Sequence, residues 1–266
     1  LGRLGYGVTL VPVNAAGEVN PSAVLAALQP DTFLVSVMHA NNEIGTIQPI
    51  RDIAEICRRR EILVHTDAAQ SIGKIKVNVA ELGVDLLTLA GHKLYGPNGV
   101  GALYVRREVA LEPVLHGAGH ERGLRAGTEN VPSIVALGAA AAVAERGIEQ
   151  ATGRLAMLRD RLEEHLKQGV GAGLKIHGAG ARRLPNTLSV SFPRVNGAEL
   201  LARCPEVQAS TGAACHSGDV VLSATLKAIG ATPETAAGTI RLSVGWYTSE
   251  EEIDQAAGLL LNAWES

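Results

Sequence analysis

Aromatic residues are scarce in this 266-residue chain, at 3% of the sequence, and cysteines number only three. A core with so few rings must be built from Val, Ile, Leu and Ala, which suits alternating strands and helices. Cys57, Cys204 and Cys215 are too few and too scattered for a disulfide framework, and they fit the reducing cytoplasm rather than a secreted setting. A basic excess is also lacking: Lys and Arg number 24 against 27 Asp and Glu, the formal charge is -3, and no long basic run occurs. No nucleic-acid footprint is present. The most apolar continuous stretch, Ile134 to Ala144, is shorter than the about 20 residues that cross a bilayer, so no membrane span is expected. A starting methionine is missing too, and LGRLGYGVTL runs almost at once into a strand-like segment. The expectation is that the true N-terminus, with any targeting peptide, precedes Leu1.

What the chain does have is 46% hydrophobic residues, enough for a sizeable core in one or two domains. Val8 to Val13, Thr32 to Met38, Ile62 to Thr66, Asp85 to Ala90 and Val100 to Val105 read as strands. Asn20-Pro21-Ser22 opens a helix through Leu28, and Pro49 opens another whose face carries Ile50, Ile53, Ala54 and Cys57. Arg58-Arg59-Arg60 closes it, as cations near a helix C-terminus do. The alternation predicts an α/β fold, a mainly parallel sheet with flanking helices. From Pro132 to about Gln168 runs a long Ala-rich helical stretch, weakened near Gly147 and Gly153, where the domain boundary is placed. Strands near Thr187 to Phe192 and Thr239 to Val244 and a helix from Ser249 then give a smaller α+β C-terminal domain. Residues 1–147 and 148–266 are the two expected units.

Polar clusters follow three of the apolar runs directly: His39-Ala40-Asn41-Asn42-Glu43, Asp67-Ala68-Ala69-Gln70 and Gly91-His92-Lys93. Ligands of open parallel sheets bind outside the carboxyl ends of strands, so one edge would gather Asn42, Asp67, Gln70, His92 and Lys93. A desolvated lysine there can bond covalently to a carbonyl, and pyridoxal phosphate enzymes pair such a lysine with an aspartate at the pyridinium nitrogen. The plain alternative is an ordinary lysine and a helix-capping aspartate.

Longer motifs add a resemblance. HTDAAQSIGK at His65 to Lys74 and AGHKLYGPNGVGALYVRR at Ala90 to Arg107 resemble the cofactor-binding core of the class V aminotransferase superfamily. MHANNEIGTIQPI, HGAGHERGLRAGTEN, STGAACHSG and IRLSVGWYTSEEEID resemble its cysteine desulfurase and selenocysteine lyase group, in that group's order along nearly the whole chain. The resemblance implies pyridoxal 5'-phosphate held covalently by Lys93, with Asp67 facing the ring nitrogen and Gln70 and Asn42 at the ring hydroxyl. It puts His92 and the Ala90-Gly91 backbone at the phosphate turn. It gives Thr128 the phosphate of a neighbouring subunit, hence a homodimer, and Arg241 the substrate carboxylate, a task for a planar bidentate donor. The large domain would be a partial one of aminotransferase type.

Cys215 separates this group from ordinary aminotransferases. Its small neighbours Gly212, Ala213, Ala214, Ser217 and Gly218 suit a loop that carries a thiolate to the substrate. Cys57 and Cys204 read as buried structural thiols. His216 either tunes Cys215 or is simply exposed. His116 and His120 have zinc-helix spacing, but Gly117 and Gly119 put them in a loop, and no metal site is expected. Gly117-Ala118-Gly119 lacks the context of a dinucleotide fingerprint. Two departures stand out: Ala90 replaces a phosphate-binding serine of many relatives, and the family's N-terminal phosphate turn and ring-stacking histidine have no counterpart before Leu1.

The implied activity is cysteine desulfurization: L-cysteine gives L-alanine and a persulfide on Cys215, which passes to an acceptor protein for iron-sulfur cluster or thio-cofactor assembly. Alternatives are a selenocysteine lyase acting on L-selenocysteine, a class V transaminase or decarboxylase that ignores Cys215, and a non-catalytic module.

Overall fold

The computed structural model describes residues 2–211, 213–216 and 219–266, with side chains described outside 212–221. The Cys215 thiol and the His216 ring therefore lie outside the described residues. In the first half of the chain α1 (Pro21–Ala27), β1 (Leu34–Met38), α2 (Ile50–Arg58), β2 (Leu63–Asp67), α3 (Val79–Leu82), β3 (Leu86–Ala90) and β4 (Gly101–Val105) follow one another. The strands form one sheet in the order β1-β2-β3-β4. The first three are parallel and β4 is antiparallel to β3. Short side chains start the helices: Asn20 accepts from Ser22 N at 2.9 Å for α1, and Asn78 accepts from Ala80 N at 2.9 Å for α3. The amphipathic α2 buries Ile50, Ile53, Ala54 and Cys57 against Val64 and Leu87 of the sheet. Each such aliphatic side chain contributes roughly 1.5–3 kcal/mol when fully buried.

One expected strand is not there. Residues 8–12 run without a ladder, and only Val13 forms a bridge, to Val19. Alternating Val and Leu create a strand pattern, but Pro12 has no N–H to donate and no strand pairs with this segment among the described residues. In this chain β1 is consequently an edge strand, paired on one side only among the described residues.

A 40-residue helix, α4 (Val131–Val170), leads into the second half of the chain. Thereafter come β5 (Lys175–Ile176), β6 (Thr187–Ser191), α5 (Gly197–Arg203), β7 (Ser210–Thr211), β8 (Ala213–His216), β9 (Asp219–Leu222), α6 (Ala224–Ala228), α7 (Pro233–Ala237), β10 (Thr239–Ser243) and α8 (Glu250–Glu265). An antiparallel sheet, β5-β6-β10-β7, packs beneath α4, α5 and α8, while β8 and β9 pair as a separate hairpin. Leu158, Leu162 and Leu166 of α4 share a core with Val190, Phe192, Ile240 and Leu260. Arg161 grips Asp254 through two bonds of 2.7 and 2.6 Å and so aligns α4 with α8.

Length and composition alone would let α4 cross a membrane: among the described residues it holds one 18-residue window of mean hydropathy 1.4. The expectation of no such segment counted only the most apolar run and missed how far flanking Ala and Gly prolong it. A partly buried stripe of α4 packs on the turns that follow β2 and β3, where Leu137, Ala140 and Ala144 lie against Gly91, Gly96 and Gly73. The helix runs unbroken through Gly147, where a Cβ would stand 2.7 Å from the Trp246 ring.

Candidate active site

Met38, Asp67 and Thr88 are register partners across β1, β2 and β3, so the three polar clusters leave the sheet at one edge. Their backbones are stitched together there: His39 N donates to Asp67 O at 2.7 Å and Ala68 N to Thr88 O at 2.9 Å. Two histidines brace the edge. His39 is buried, with Nδ1 2.9 Å from Ser71 Oγ, and burial, helped by the Arg182 charge, holds its pKa below the usual value. His65 bridges strands, with Nδ1 2.8 Å from Ser36 Oγ and Nε2 2.8 Å from Thr88 Oγ1. Its pKa is also lowered by burial, against a smaller opposing pull from Asp67. Among the described residues no group of three or more metal-ligating side chains exists, and His120 accepts a bond from Gly127 N at 3.3 Å.

Lys93 sits in a one-turn 3-10 helix, Gly91–Leu94, directly after β3. Gly91 is required by contact: a Cβ would lie 2.9 Å from Val100 O. Tyr95 then turns the chain at φ 63, and Gly96 N closes the turn on Gly91 O at 2.9 Å. Ala90 stands at the cap of this turn and supplies no side-chain bond. Among the described residues Lys93 Nζ has no hydrogen-bond or ion-pair partner. Asp67 spends Oδ1 on Ala69 N at 2.8 Å, and its Oδ2 has no hydrogen-bond partner among the described residues. The side chains of Asn42, Gln70 and His92 likewise have no partner among the described residues, and Asn42 and His92 are exposed.

Arg241 comes to this edge from β10. Its Nη1 donates to Asn42 O at 2.9 Å and its Nη2 to Ser210 Oγ at 3.2 Å, while the buried Nε has no partner among the described residues. Thr128 is not joined to the three strand exits: it lies exposed on the connection ahead of α4, with no hydrogen bond to them among the described residues. A cleft of about 920 Å³ between Tyr6–Val11 and the outer edge of β1 reaches Asn41 and Thr225, but Asp67, Gln70, His92 and Lys93 do not line it. The charged groups converge at the strand exits rather than in that mostly apolar cleft.

Sequence reasoning missed the residues that hold this edge in place. Glu43 accepts from Ser223 Oγ at 2.5 Å, Asn41 Nδ2 donates to Thr225 Oγ1 at 3.3 Å, and Lys74 Nζ donates to Lys93 O at 2.7 Å. Adjacency to Asn42 was the one signal for Glu43; Ser223 and Thr225 carried none. Taken together, an unpaired amine, an unpaired carboxylate oxygen and a guanidinium with an orphaned donor fit a covalently held aromatic cofactor and a carboxylate-bearing substrate.

A three-strand parallel edge followed by an antiparallel strand, with a lysine at its rim, is the frame of an aminotransferase-type α/β protein. The chain belongs to the aminotransferase class-V family, whose sequence profile matches residues 1–256. It is 45% identical over 265 residues to "Cysteine desulfurase IscS" of Histophilus somni (strain 2336), covering 99% of this chain and 65% of that protein. A protein of the same name from Dictyoglomus turgidum is 42% identical over 262 residues, covering 98% of this chain and 66% of the relative. The chain thus spans about 65% of the length of such relatives. Among solved structures, a "NIFS-LIKE PROTEIN" superposes with a TM-score of 0.88 at 38% identity, covering 99% of this chain and 69% of that one. "SspA in complex with cysteine" does so with a TM-score of 0.75 at 34% identity over 93% of this chain and 69% of that one.

Proposed function

We propose that this chain carries the lysine, carboxylate and cysteine of a cysteine desulfurase, and that it takes sulfur from L-cysteine onto Cys215. The observation that carries the reading is the convergence of Lys93, Asp67 and Arg241 at one sheet edge, with Lys93 Nζ and Asp67 Oδ2 unpaired among the described residues. The names of the relatives, one of them solved with cysteine, support the substrate. Pyridoxal 5'-phosphate, when bound, supplies an electron sink for charge released at the substrate Cα.

The protein's own residues do the rest. Lys93 holds the cofactor and moves the Cα proton on Nζ. Asp67, oriented by its bond from Ala69 N, offers its free oxygen to the ring nitrogen. Gln70 and Asn42 bind the ring hydroxyl, and His92 with the Ala90-Gly91 backbone binds the phosphate. Arg241, already anchored on Asn42 O, binds the substrate carboxylate. In the net step the C–S bond of cysteine breaks and an S–S bond to Cys215 forms. The thiol hydrogen ends on carbon, leaving alanine and a persulfide with no outside oxidant or reductant.

The persulfide then passes to an acceptor protein. Two copies pair, with the exposed Thr128 serving the partner's site, and residues 1–147 and 148–266 act as large and small domains. The buried free thiols of Cys57 and Cys204 support a reducing, cytoplasmic setting.

The test follows alanine and Cys215-bound sulfur from L-cysteine, with added cofactor, in the wild type, Lys93→Ala and Cys215→Ala. Both variants should be silent. A Cys215→Ala chain that releases sulfur at the full rate sinks the mechanism. Turnover confined to L-selenocysteine would assign the lyase activity, and a chain that never binds cofactor would be the non-catalytic module.

A further inference from the structure

We propose that Lys74 is a positioning residue for Lys93: its ammonium grips the backbone carbonyl of Lys93 and so sets the direction in which the Lys93 side chain leaves the sheet edge. Lys74 Nζ donates to Lys93 O at 2.7 Å. That carbonyl lies in the last turn of a short helix, where carbonyls lack helical partners. The following residue, Tyr95, is held at φ 63. A non-glycine residue stays in the left-handed region only where its surroundings over-determine it.

Lys74 is itself fixed from two sides. Backbone bonds of 3.0 Å, from Lys74 N to Ser71 O and from Ser71 N to Ala68 O, carry it from the turn that leaves β2 through Asp67 and Gln70. Thr152 Oγ1 of α4 lies 2.7 Å from Lys74 O and 2.7 Å from Ile148 O, sharing its one proton between the two carbonyls. Next to it, Gly73 at φ 74 lies so close to the Lys93 turn that a Cβ there would stand 3.1 Å from Leu94 Cβ. Lys74 thereby couples the turn bearing Asp67 to the turn bearing Lys93.

Among the described residues no carboxylate pairs with the Lys74 ammonium, and the Lys93 carbonyl is the acceptor it uses. Burial, with the nearby Lys93 charge, pushes its pKa down to about 8. A half-buried cation beside a second cation is costly for the fold, and such costs concentrate at functional sites. A methionine would fill similar space without the charge, so packing alone does not account for lysine here.

The role rests on the proposed reading of Lys93 as the cofactor-bearing lysine, but the clamp can be read without cofactor. Hydrogen exchange is followed in the full cofactor-free chain for the wild type, Lys74→Met and Lys74→Arg. In Lys74→Met the amides of residues 94–96 should exchange at least about tenfold faster, with β10 unaffected and Tm not lowered, while Lys74→Arg stays near wild type. In parallel, each chain is incubated with pyridoxal phosphate and cyanoborohydride, and label on Lys93 is followed by peptide mass spectrometry. Lys74→Met should label Lys93 at least about tenfold more slowly, and Lys74→Arg should recover most of the rate.

Unchanged exchange or an unchanged labelling rate in Lys74→Met overturns the clamp. So does a lowered Tm in Lys74→Met with no rescue by arginine, the mark of packing alone. If the wild type takes no label on Lys93 while exchange responds as expected, the clamp stands and the cofactor reading of Lys93 fails.

Discussion

The carboxylate of Glu43 accepts a 2.5 Å hydrogen bond from the hydroxyl of Ser223, 180 residues further along the chain. Its two predecessors reach across as well, Asn41 to Thr225 Oγ1 at 3.3 Å and Asn42, through its carbonyl, to Arg241 at 2.9 Å. Three consecutive residues at the exit of β1 therefore hold α6 and β10 against the candidate site. Ser223 also caps α6, accepting from Leu226 N at 3.1 Å, and it follows directly the β8–β9 hairpin whose first strand contains Cys215.

Glu43→Ala should therefore cost more in sulfur transfer than in cofactor binding. A hydrogen bond to a charged group is worth about 1.5–3 kcal/mol, and Glu43 is only partly buried, so a loss of about 1–2 kcal/mol in urea unfolding is expected. Persulfide formation on Cys215, read by intact mass, should slow at least about tenfold, while labelling of Lys93 by pyridoxal phosphate stays within error. Glu43→Gln keeps an acceptor oxygen and should fall between. Full-rate sulfur transfer in Glu43→Ala would show that the bond does not position the hairpin.

Lys93, Asp67, Gln70 and Asn42 were legible as a group because each directly follows an apolar run, and a parallel sheet sends such residues to one edge. Their supports were not. Glu43–Ser223 and Asn41–Thr225 join positions 180 and 184 residues apart, and no local pattern encodes a contact of that span. Lys74 was visible only as the last residue of a motif, since its bond depends on how two turns stack. The false strand at 8–13 shows the opposite limit: alternation describes one strand's own preference, whereas a ladder needs a neighbour. Gly147 and Gly153 weaken α4 by propensity, about 1 kcal/mol each relative to alanine. The helix continues nonetheless, and at Gly147 the missing side chain admits the Trp246 ring.

Stability should respond to pH in two separate steps. His39 and His177 are buried, and burial lowers both below the ordinary imidazole value of about 6.5. The unfolded chain thus binds more protons at acid pH, and stability present above 6.5 is lost as pH falls below it. Lys74 works at the other end. Its folded value of about 8 lies below 10.5, so its penalty is complete below pH 8 and is relieved as pH rises towards 10.5. Full relief, roughly 3 kcal/mol, is reached only above pH 10.5, and about 1 kcal/mol of it falls between pH 8 and pH 9. Above about pH 9 the thiols of Cys57 and Cys204, raised by burial, act in the opposite sense. Urea unfolding of the wild type from pH 5 to pH 9 should fall off below about 6.5, stay level to about 8, then rise. The final rise should be missing in Lys74→Met, and its survival there would contradict the assignment.

Glu163 on α4 provides a test of the second core. Burial alone would raise its pKa, but bonds from Lys167 Nζ at 2.6 Å and Arg183 Nη2 at 2.7 Å outweigh that and hold it below the usual carboxylate value. Arg183 is nearly buried, and among the described residues its Nη1 already lacks a partner. Glu163→Ala would strand a buried guanidinium, and breaking such a pair costs about 3–5 kcal/mol. The double variant Glu163→Ala with Arg183→Met should recover much of that loss. A single variant within about 1 kcal/mol of wild type in urea would mean that solvent already relieves the pair.

Arg241 makes the sharpest prediction about the substrate. Its Nη1 is committed to Asn42 O and its Nη2 to Ser210, so the guanidinium plane is set before any ligand arrives. The buried Nε donor has no acceptor among the described residues. A lysine at this position keeps the charge but loses the fork, and cannot hold both anchors while gripping a carboxylate. Arg241→Lys should raise KM for L-cysteine by roughly 10- to 100-fold, the loss of one charge-assisted hydrogen bond. Labelling of Lys93 by pyridoxal phosphate should be unchanged, because Arg241 is assigned to the substrate and not to the cofactor. Measuring both separates the roles: a KM that does not move removes Arg241 from substrate binding, and a lost label would place it on the cofactor instead.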